Sequence, residues 1–338
     1  MTMNDRPDLD PLLAAQAPLA AQALASGSHA HYEALMRACR SLPPLRTAIV
    51  HPCDENSLGG ALSAAAEGII VPILIGPARR IAAVAQASKL DLRACEVLDV
   101  PHSHAAADKA VEIVRAARAE AIMKGSLHTD ELMSAALRKE NGLRTGRRVS
   151  HVFILDVPSY PKPLFLTDAV VNIAPDLEQK ADIVQNAIDL ARSLNVACPK
   201  VAILSAVETV SSKIPSTIDA AALCKMADRG QIVGGLLDGP LALDNAISRD
   251  AAQIKHIDSP VAGDPDVLVV PNMEAGNLLA KELIFMSGSD AAGIVLGASV
   301  PIMLTSRADS IRARTASCAV ACLYARSRST PRALATDR

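Results

Sequence analysis

The chain contains no tryptophan and only three tyrosines and three phenylalanines. It therefore lacks the aromatic platforms on which single-stranded nucleic acids stack. Its formal net charge is −2, with cations and anions mixed throughout. That balance excludes the strongly basic face of a nucleic-acid or membrane-surface protein. The seven cysteines, at 39, 53, 95, 198, 224, 318 and 322, are odd in number and scattered, and no CxxC pair occurs. Such usage suits reduced, buried thiols in a reducing compartment. Neither GxGxxG nor GxxxxGK is present, so the standard dinucleotide and P-loop fingerprints are missing. The charge-free run 68–78 is too short to cross a bilayer and holds two prolines. Asp5, Arg6, Asp8 and Asp10 precede any apolar stretch, unlike a secretory signal. The expectation is a soluble, cytoplasmic protein with no nucleic-acid or membrane partner.

What remains is a chain of 338 residues, half of it apolar, long enough for two domains with sizeable cores. After a lead-in over 1–45 with one helix near 31–40, short apolar runs alternate with helical segments. Strands are expected at 47–51, 69–75, 96–100 and 121–123, with helices at 57–67, 77–86 and 105–119. A linker or loop, KENGLRTGRRVS at 139–150, carries Lys139, Arg144, Arg147 and Arg148 together with two glycines. Strands at 152–157 and 164–171 follow, then a helix at 175–194 opened by Pro175. The alternation resumes with strands at 201–207, 231–237, 267–270, 293–296 and 301–304, and helices at 215–229, 273–286 and 309–324. The tail from Arg326 onward is expected to fray. Continuous apolar runs between amphipathic helices predict an α/β protein with mainly parallel sheets covered on both faces.

Ligands of such sheets sit beyond the carboxyl ends of strands. Polar clusters fall there at Lys124-Gly125-Ser126 with His128 and Thr129, at Asp238-Gly239-Pro240, at 272–277 with Asn277, and at Thr305-Ser306-Arg307. Ser306 and Arg307 stand just ahead of a helix N-terminus, where unpaired N–H groups and matching donors favour an anion. The competing reading has Ser306 or Asp309 capping that helix while Arg307 pairs with a surface carboxylate. Position alone does not separate the two. Arg144 reads equally as a solvated linker arginine, although Gly142 and Gly146 allow the backbone to approach a bulky anion. His102 and His104 form an HxH pair with no third ligand nearby in sequence, and Cys318 and Cys322 are spaced for packing, so no metal site is expected. His128 has the chemistry of an acid–base group or of a helix-entry hydrogen bonder. Asp168 and Asp238 interrupt apolar strands, which is costly unless they are hydrogen bonded or functional.

At these clusters the sequence resembles the phosphate acetyltransferases and phosphate butyryltransferases. The likeness is carried by IMKGSLHTDELM (122–133), GLRTGRRVSHVFILDV (142–157) and LFLTDAVVNIAPDLEQK (164–180). It continues through DGPLALDNAIS (238–248), DVLVVPNMEAGNLLAKEL (266–283) and AGIVLGASVPIMLTSRADS (292–310). It runs from about residue 46 to 325, and the TSRADS and GPLALDNAIS wording is closer to the butyryl branch and to hydratase-fused acyltransferase domains. The resemblance implies a two-domain isocitrate/isopropylmalate dehydrogenase-like fold with an interdomain cleft, usually dimeric. Domain I would comprise 1–148 plus 300–338, and domain II 149–299. It also implies acyl-CoA + phosphate ⇌ acyl phosphate + CoA, the acyl group acetyl or butyryl, by direct attack in a ternary complex. Coenzyme A is then a substrate, and no cofactor is permanently bound. Ser306 and Arg307 match the family's serine–arginine pair at the reacting centre. Arg144 and Thr145 match its arginine-bearing phosphate loop, and Lys124, Gly125, Ser126, His128 and Thr129 lie on the opposite lip. Asn277 completes the substrate-binding set. The acetyl branch has a catalytic aspartate where this chain has Ala313, so either Asp309 takes that role or the thiol needs no dedicated base. Two alternatives remain: an NAD-dependent β-decarboxylating dehydrogenase on the same fold, and a non-catalytic acyl-CoA-binding relative.

Overall fold

The computed structural model describes residues 30–306 and 309–329. The apolar runs become strands β1 Leu45–Val50, β2 Ile70–Gly76, β3 Glu96–Asp99, β4 Ala121–Lys124, β5 Ser150–Asp156 and β6 Leu164–Thr167. They continue as β7 Lys200–Leu204, β8 Leu236–Leu241, β9 Val267–Val269, β10 Asp290–Leu296 and β11 Ile302–Met303. The helices are α1 Ala30–Cys39, α2 Glu55–Ala66, α3 Ala78–Ala87, α4 Ser103–Arg115, α5 Thr129–Ala136 and α6 Leu177–Ser193. The remaining helices are α7 Pro215–Asp228, α8 Leu243–Ile247, α9 Arg249–Ile254, α10 Met273–Phe285 and α11 Ile311–Ser329.

All eleven strands join one sheet in the order β3-β2-β1-β4-β11-β10-β5-β6-β9-β7-β8. The first five are mutually parallel, and so are β6, β9, β7 and β8. Between the two blocks, β10 runs antiparallel to β11 and to β5, and β5 antiparallel to β6. Following those directions across the sheet, the second block points opposite to the first. The carboxyl ends of β1, β4 and β11 therefore lie on one edge of the sheet, and those of β6, β9, β7 and β8 on the other. One face is covered by α1, α2, α6, α7 and α11 around Leu58, Phe165, Ile188 and Val320. The other is covered by α4 and α5 over the first block and by α8 to α10 over the second. This is a mixed α/β architecture with a large, mostly parallel sheet, as the alternation predicts.

The differences from expectation have local causes. The helix expected from Pro175 starts at Leu177, because Asp176 caps it by accepting the Gln179 N–H at 2.8 Å. The strand expected over 164–171 stops at Thr167, where Asp168 folds the chain onto itself. The strand expected over 231–237 is shifted to β8, since Gly234 takes φ +87 in the preceding turn. The last helix runs on to Ser329. There Arg326 donates to the Pro43 and Pro44 carbonyls at 3.1 and 2.9 Å and pairs with Glu120 at 2.8 Å, so 326–329 stay helical, and the rest of the tail expected to fray lies outside the described residues.

Candidate active site

Strands β1, β4 and β11 are neighbours, and their registers, Val50 with Lys124 and Met123 with Met303, bring His51, Gly125 and Thr305 to one level. Gly125 makes this convergence possible. Its N–H donates to the Val50 carbonyl at 2.8 Å, and a Cβ there would stand 2.4 Å from that oxygen and 2.6 Å from the His51 carbonyl. Only glycine fits. The next residue, Ser126, donates its hydroxyl to the His51 carbonyl at 2.9 Å and accepts the Cys53 N–H at 3.1 Å. Burial lowers the His51 pKa, opposed by a hydrogen bond to the Ser126 backbone, which favours a neutral imidazole. Asp54 then caps α2 through the Ser57 N–H at 2.8 Å.

After β11, a residue not foreseen from sequence organises the loop. Arg314, 1 % exposed, donates to the Thr305 hydroxyl at 2.6 Å, the Ser306 carbonyl at 2.8 Å and the Lys124 carbonyl at 3.4 Å. It reaches them because α2 presents Gly59 and Gly60 to α11. A Cβ on Gly60 would lie 2.7 Å from the Arg314 Cβ. The signal was present in the sequence: Arg314, Cys318 and Cys322 recur at helical spacing, and an arginine on a cysteine-lined stripe must be buried and paired. Lys124 is also buried, and its ammonium donates to the Thr305 carbonyl at 3.4 Å. Asp309 accepts the Ser306 N–H at 2.7 Å. Burial pushes its carboxyl pKa up, while the Ser306 N–H and the positive charges of Arg314 and Lys124 pull it back. Ser306 itself is exposed at this edge. The cluster thus offers a hydroxyl, a buried ammonium and a carboxyl with raised proton affinity around a strand-to-helix turn. Such a set suits an anionic substrate and a proton transfer.

The other expected residues are divided. Arg307 lies outside the described residues. His128 and Thr129 open α5 just beyond Ser126, with the His128 N–H donating to Glu131 at 3.1 Å. The HxH pair serves that neighbourhood: His102 caps α4, and His104 lies 3.3 Å from Glu131. Arg144 and Thr145 do not join the cluster. Arg144 bridges to Ala298, and the Thr145 hydroxyl donates to the Gly297 carbonyl at 2.6 Å, both at the closed end of the β10–β11 hairpin. Three residue steps separate Ala298 from the Val295–Ile302 rung and three more separate that rung from Thr305, at most about 20 Å at strand rise. The Arg144 backbone is thus placed at the closed end of the hairpin, and Arg307, with which it was expected to meet on one phosphate, lies outside the described residues. Asn277 donates to the Ala169 carbonyl at 3.1 Å, beyond the carboxyl end of β6 on the opposite edge of the sheet. Asp168, 3 % exposed, accepts the Val170, Val171 and Asn172 N–H groups at 2.9 to 3.1 Å, so its burial is accounted for by shaping a turn.

Comparison with known proteins bears on this geometry. The family described as Phosphate acetyl/butaryl transferase matches residues 103–322. A protein named phosphate acetyltransferase from Rhizobium meliloti is 62 % identical over 294 residues, 87 % of this chain and 93 % of that one. A phosphate butyryltransferase from Clostridium acetobutylicum is 41 % identical over 280 residues, 83 % of this chain and 93 % of its own. Among solved structures, a branched-chain phosphotransacylase from Enterococcus faecalis V583 superposes with a TM-score of 0.72 at 29 % identity, over 83 % of this chain and 99 % of that one.

Proposed function

We propose, on the premise that the chain belongs to the phosphate acetyl/butyryl transferase family, that its reaction takes place at the Lys124–Ser306–Asp309 cluster. The enzyme is a transferase that catalyses acyl-CoA + phosphate ⇌ acyl phosphate + CoA. The observation that carries the assignment of the site is the turn after β11, where Arg314 and Asp309 fix the backbone on both sides of an exposed Ser306.

Phosphate attack on a thioester builds charge on the carbonyl oxygen while the phosphate already carries about two charges. Fixed donors are the main requirement, each worth about 3 kcal/mol in such sites. Ser306 donates to the developing oxyanion or to the departing sulfur. Lys124 and Arg307 neutralise the phosphate and hold it in line, supplying proximity. Gly125, Ser126, His128 and Thr129 form the facing lip. Asp309, whose carboxyl holds its proton more readily than usual, exchanges a proton with the CoA thiol, the role that Ala313 cannot fill. Attack is direct, in a ternary complex. In the reverse direction a free thiol of pKa near 8.5 is only a few per cent ionised at pH 7, and neighbouring cations raise that fraction.

The same reading takes the fold as isocitrate/isopropylmalate dehydrogenase-like, with domain I at 1–148 plus 300–338 and domain II at 149–299. It makes coenzyme A a substrate and no cofactor resident, in a cytoplasmic homodimer. Support for the dimer comes from Leu278, Phe285 and Met286 on and just past α10, each more than 70 % exposed, an apolar surface of the kind that partners cover. CoA release from acetyl-, propionyl- and butyryl-CoA, with and without phosphate, tests the function. Phosphate-dependent release is expected. Release indifferent to phosphate, or turnover seen only with NAD and Mg²⁺, overturns it.

A further inference from the structure

Acyl transfer to phosphate moves a proton as well as an acyl group. Hydrogen phosphate carries one proton, its acyl ester carries none, and the sulfur departs as a thiol. Asp309, in the loop after β11, serves the sulfur end of that exchange, which leaves the phosphate end without a partner for its proton. β4 lies between β11 and β1, so the two outer strand ends stand about 10 Å apart. That is the width of a phosphate and a thioester set side by side. The residue at the far strand end is His51.

Its backbone is the first anomaly. His51 takes φ 54, a left-handed conformation uncommon for a residue with a side chain. Lys89, Ala117, Asn195 and His256 share it, but each stands just past a helix end, where such a turn is ordinary. His51 instead leaves a strand at the level of Gly125 and Thr305, and backbone strain of that kind collects at functional sites. The imidazole is also held in one tautomer. Nδ1 lies 3.1 Å from the Ser126 carbonyl oxygen and 3.3 Å from the Ser126 hydroxyl. The carbonyl only accepts, and the hydroxyl spends its single proton on the His51 carbonyl at 2.9 Å. Nδ1 therefore carries the ring proton, and Nε2 keeps its lone pair. Nε2 hydrogen-bonds to none of the described residues. Burial and the Arg80 charge lower the proton affinity of the ring, against the Ser126 bond and the charges of Glu131 and Asp54. The ring is thus unprotonated near neutral pH and able to accept.

We propose that His51 is the general base for the phosphate, a further catalytic residue that rests on the transacylase reading of the chain. Nε2 accepts the proton of hydrogen phosphate as the phosphate oxygen forms its bond to the acyl carbon. The carbon–sulfur bond breaks, its electron pair goes to sulfur, and Asp309 supplies the proton that makes the thiol. One proton has left the phosphate and one has reached the sulfur, so atoms and charge balance. The imidazolium then returns its proton to Asp309 through solvent. In the reverse direction the imidazolium protonates the departing phosphate while Asp309 takes the thiol proton. Two groups of opposite tendency thus flank β4, a carboxyl that holds its proton more readily than usual and an imidazole that holds it less readily. Such a separation is how a site assigns its acid and its base.

His51→Asn isolates the base, because asparagine tolerates a left-handed backbone and its amide donates where Nδ1–H does. In phosphate-dependent CoA release from acetyl-CoA, kcat should fall about 100-fold. KM for acetyl-CoA should stay within about two-fold and Tm within about 2 °C. His51→Gly also accepts that backbone and leaves room for a free imidazole. Added imidazole should raise its rate at least about 10-fold and should not raise that of Asp309→Asn. This rescue decides the matter even where the asparagine variant melts early. An asparagine variant within about three-fold of the wild-type kcat, or a glycine variant indifferent to imidazole, overturns the assignment. A wild-type protein without phosphate-dependent CoA release would instead overturn the transacylase reading itself.

Discussion

The two ends of the β10–β11 hairpin use arginine in opposite ways. At the Ser306 end, Arg314 is buried and spends its guanidinium on Thr305, Ser306 and Lys124. At the Ala298 end, Arg147 pairs with Asp189 at 2.6 Å, and Arg328 bonds the Tyr324 hydroxyl at 3.2 Å and lies over its ring. The first arginine builds a rigid turn. The second pair joins side chains at a part-exposed surface. The acceptors tell the two apart: those of Arg314 are mainly the backbone of the turn after β11, whereas those of the second pair are side chains.

The contrast is sharpest in a pair of variants. Arg314→Ala strands three acceptors and opens a cavity, at a cost of about 3–5 kcal/mol, lowering Tm by roughly 10 °C and abolishing activity. Arg147→Ala, which removes a half-exposed ion pair with Asp189, should leave Tm within about 2 °C. Equal melting losses in differential scanning calorimetry would erase the distinction.

Two glycines extend the comparison. Gly125→Ala forces a Cβ onto the Val50 and His51 carbonyls and should destabilise by about 2–3 kcal/mol. The Gly146 Cβ would meet nothing within 4 Å, so Gly146→Ala should be neutral or stabilise by about 0.5 kcal/mol. Chemical denaturation midpoints decide both. The Gly146 effect is the smallest expected here.

Between those extremes lies His151, in β5 midway between the two ends, fully buried and held to a pKa of about 3 by desolvation. The folded imidazole refuses a proton that the unfolded chain accepts below its ordinary pKa of about 6.5. Its contribution is therefore whole above pH 6.5 and is lost as pH falls toward 3. Between pH 6.5 and 5 the loss is about 2 kcal/mol. His151→Leu should flatten the fall in stability between pH 7 and 5 by that amount. An unchanged slope would show that the imidazole does not stay neutral.

The alternation of buried apolar runs with amphipathic helices made the α/β sheet legible, because strands covered on both faces carry no polar period to confuse them. Strand direction was not legible. The antiparallel pair β5 and β10 turns the second block over, so Asn277 and the 144–145 loop fall on the edge opposite Ser306. Polar strand ends in a mixed sheet therefore open on two edges, which the sequence alone does not distinguish. Lys124, Gly125, Ser126, Ser306 and Asp309 lie together because their strands belong to one parallel block. Arg314 was missed although its spacing with Cys318 and Cys322 marked a buried stripe; the close fit to Gly59 and Gly60 of α2 that completes its burial is long-range. The TSRADS wording does not fix the acyl group, and identity is higher to the Rhizobium meliloti acetyltransferase than to the Clostridium acetobutylicum butyryltransferase.

The most direct measurement is kcat/KM for phosphate-dependent CoA release by Ser306→Ala, taken together with its Tm. With the turn intact and only the hydroxyl removed, the rate should fall by about 100-fold while Tm moves by less than about 2 °C. A variant that works at close to the wild-type rate would place the chemistry elsewhere.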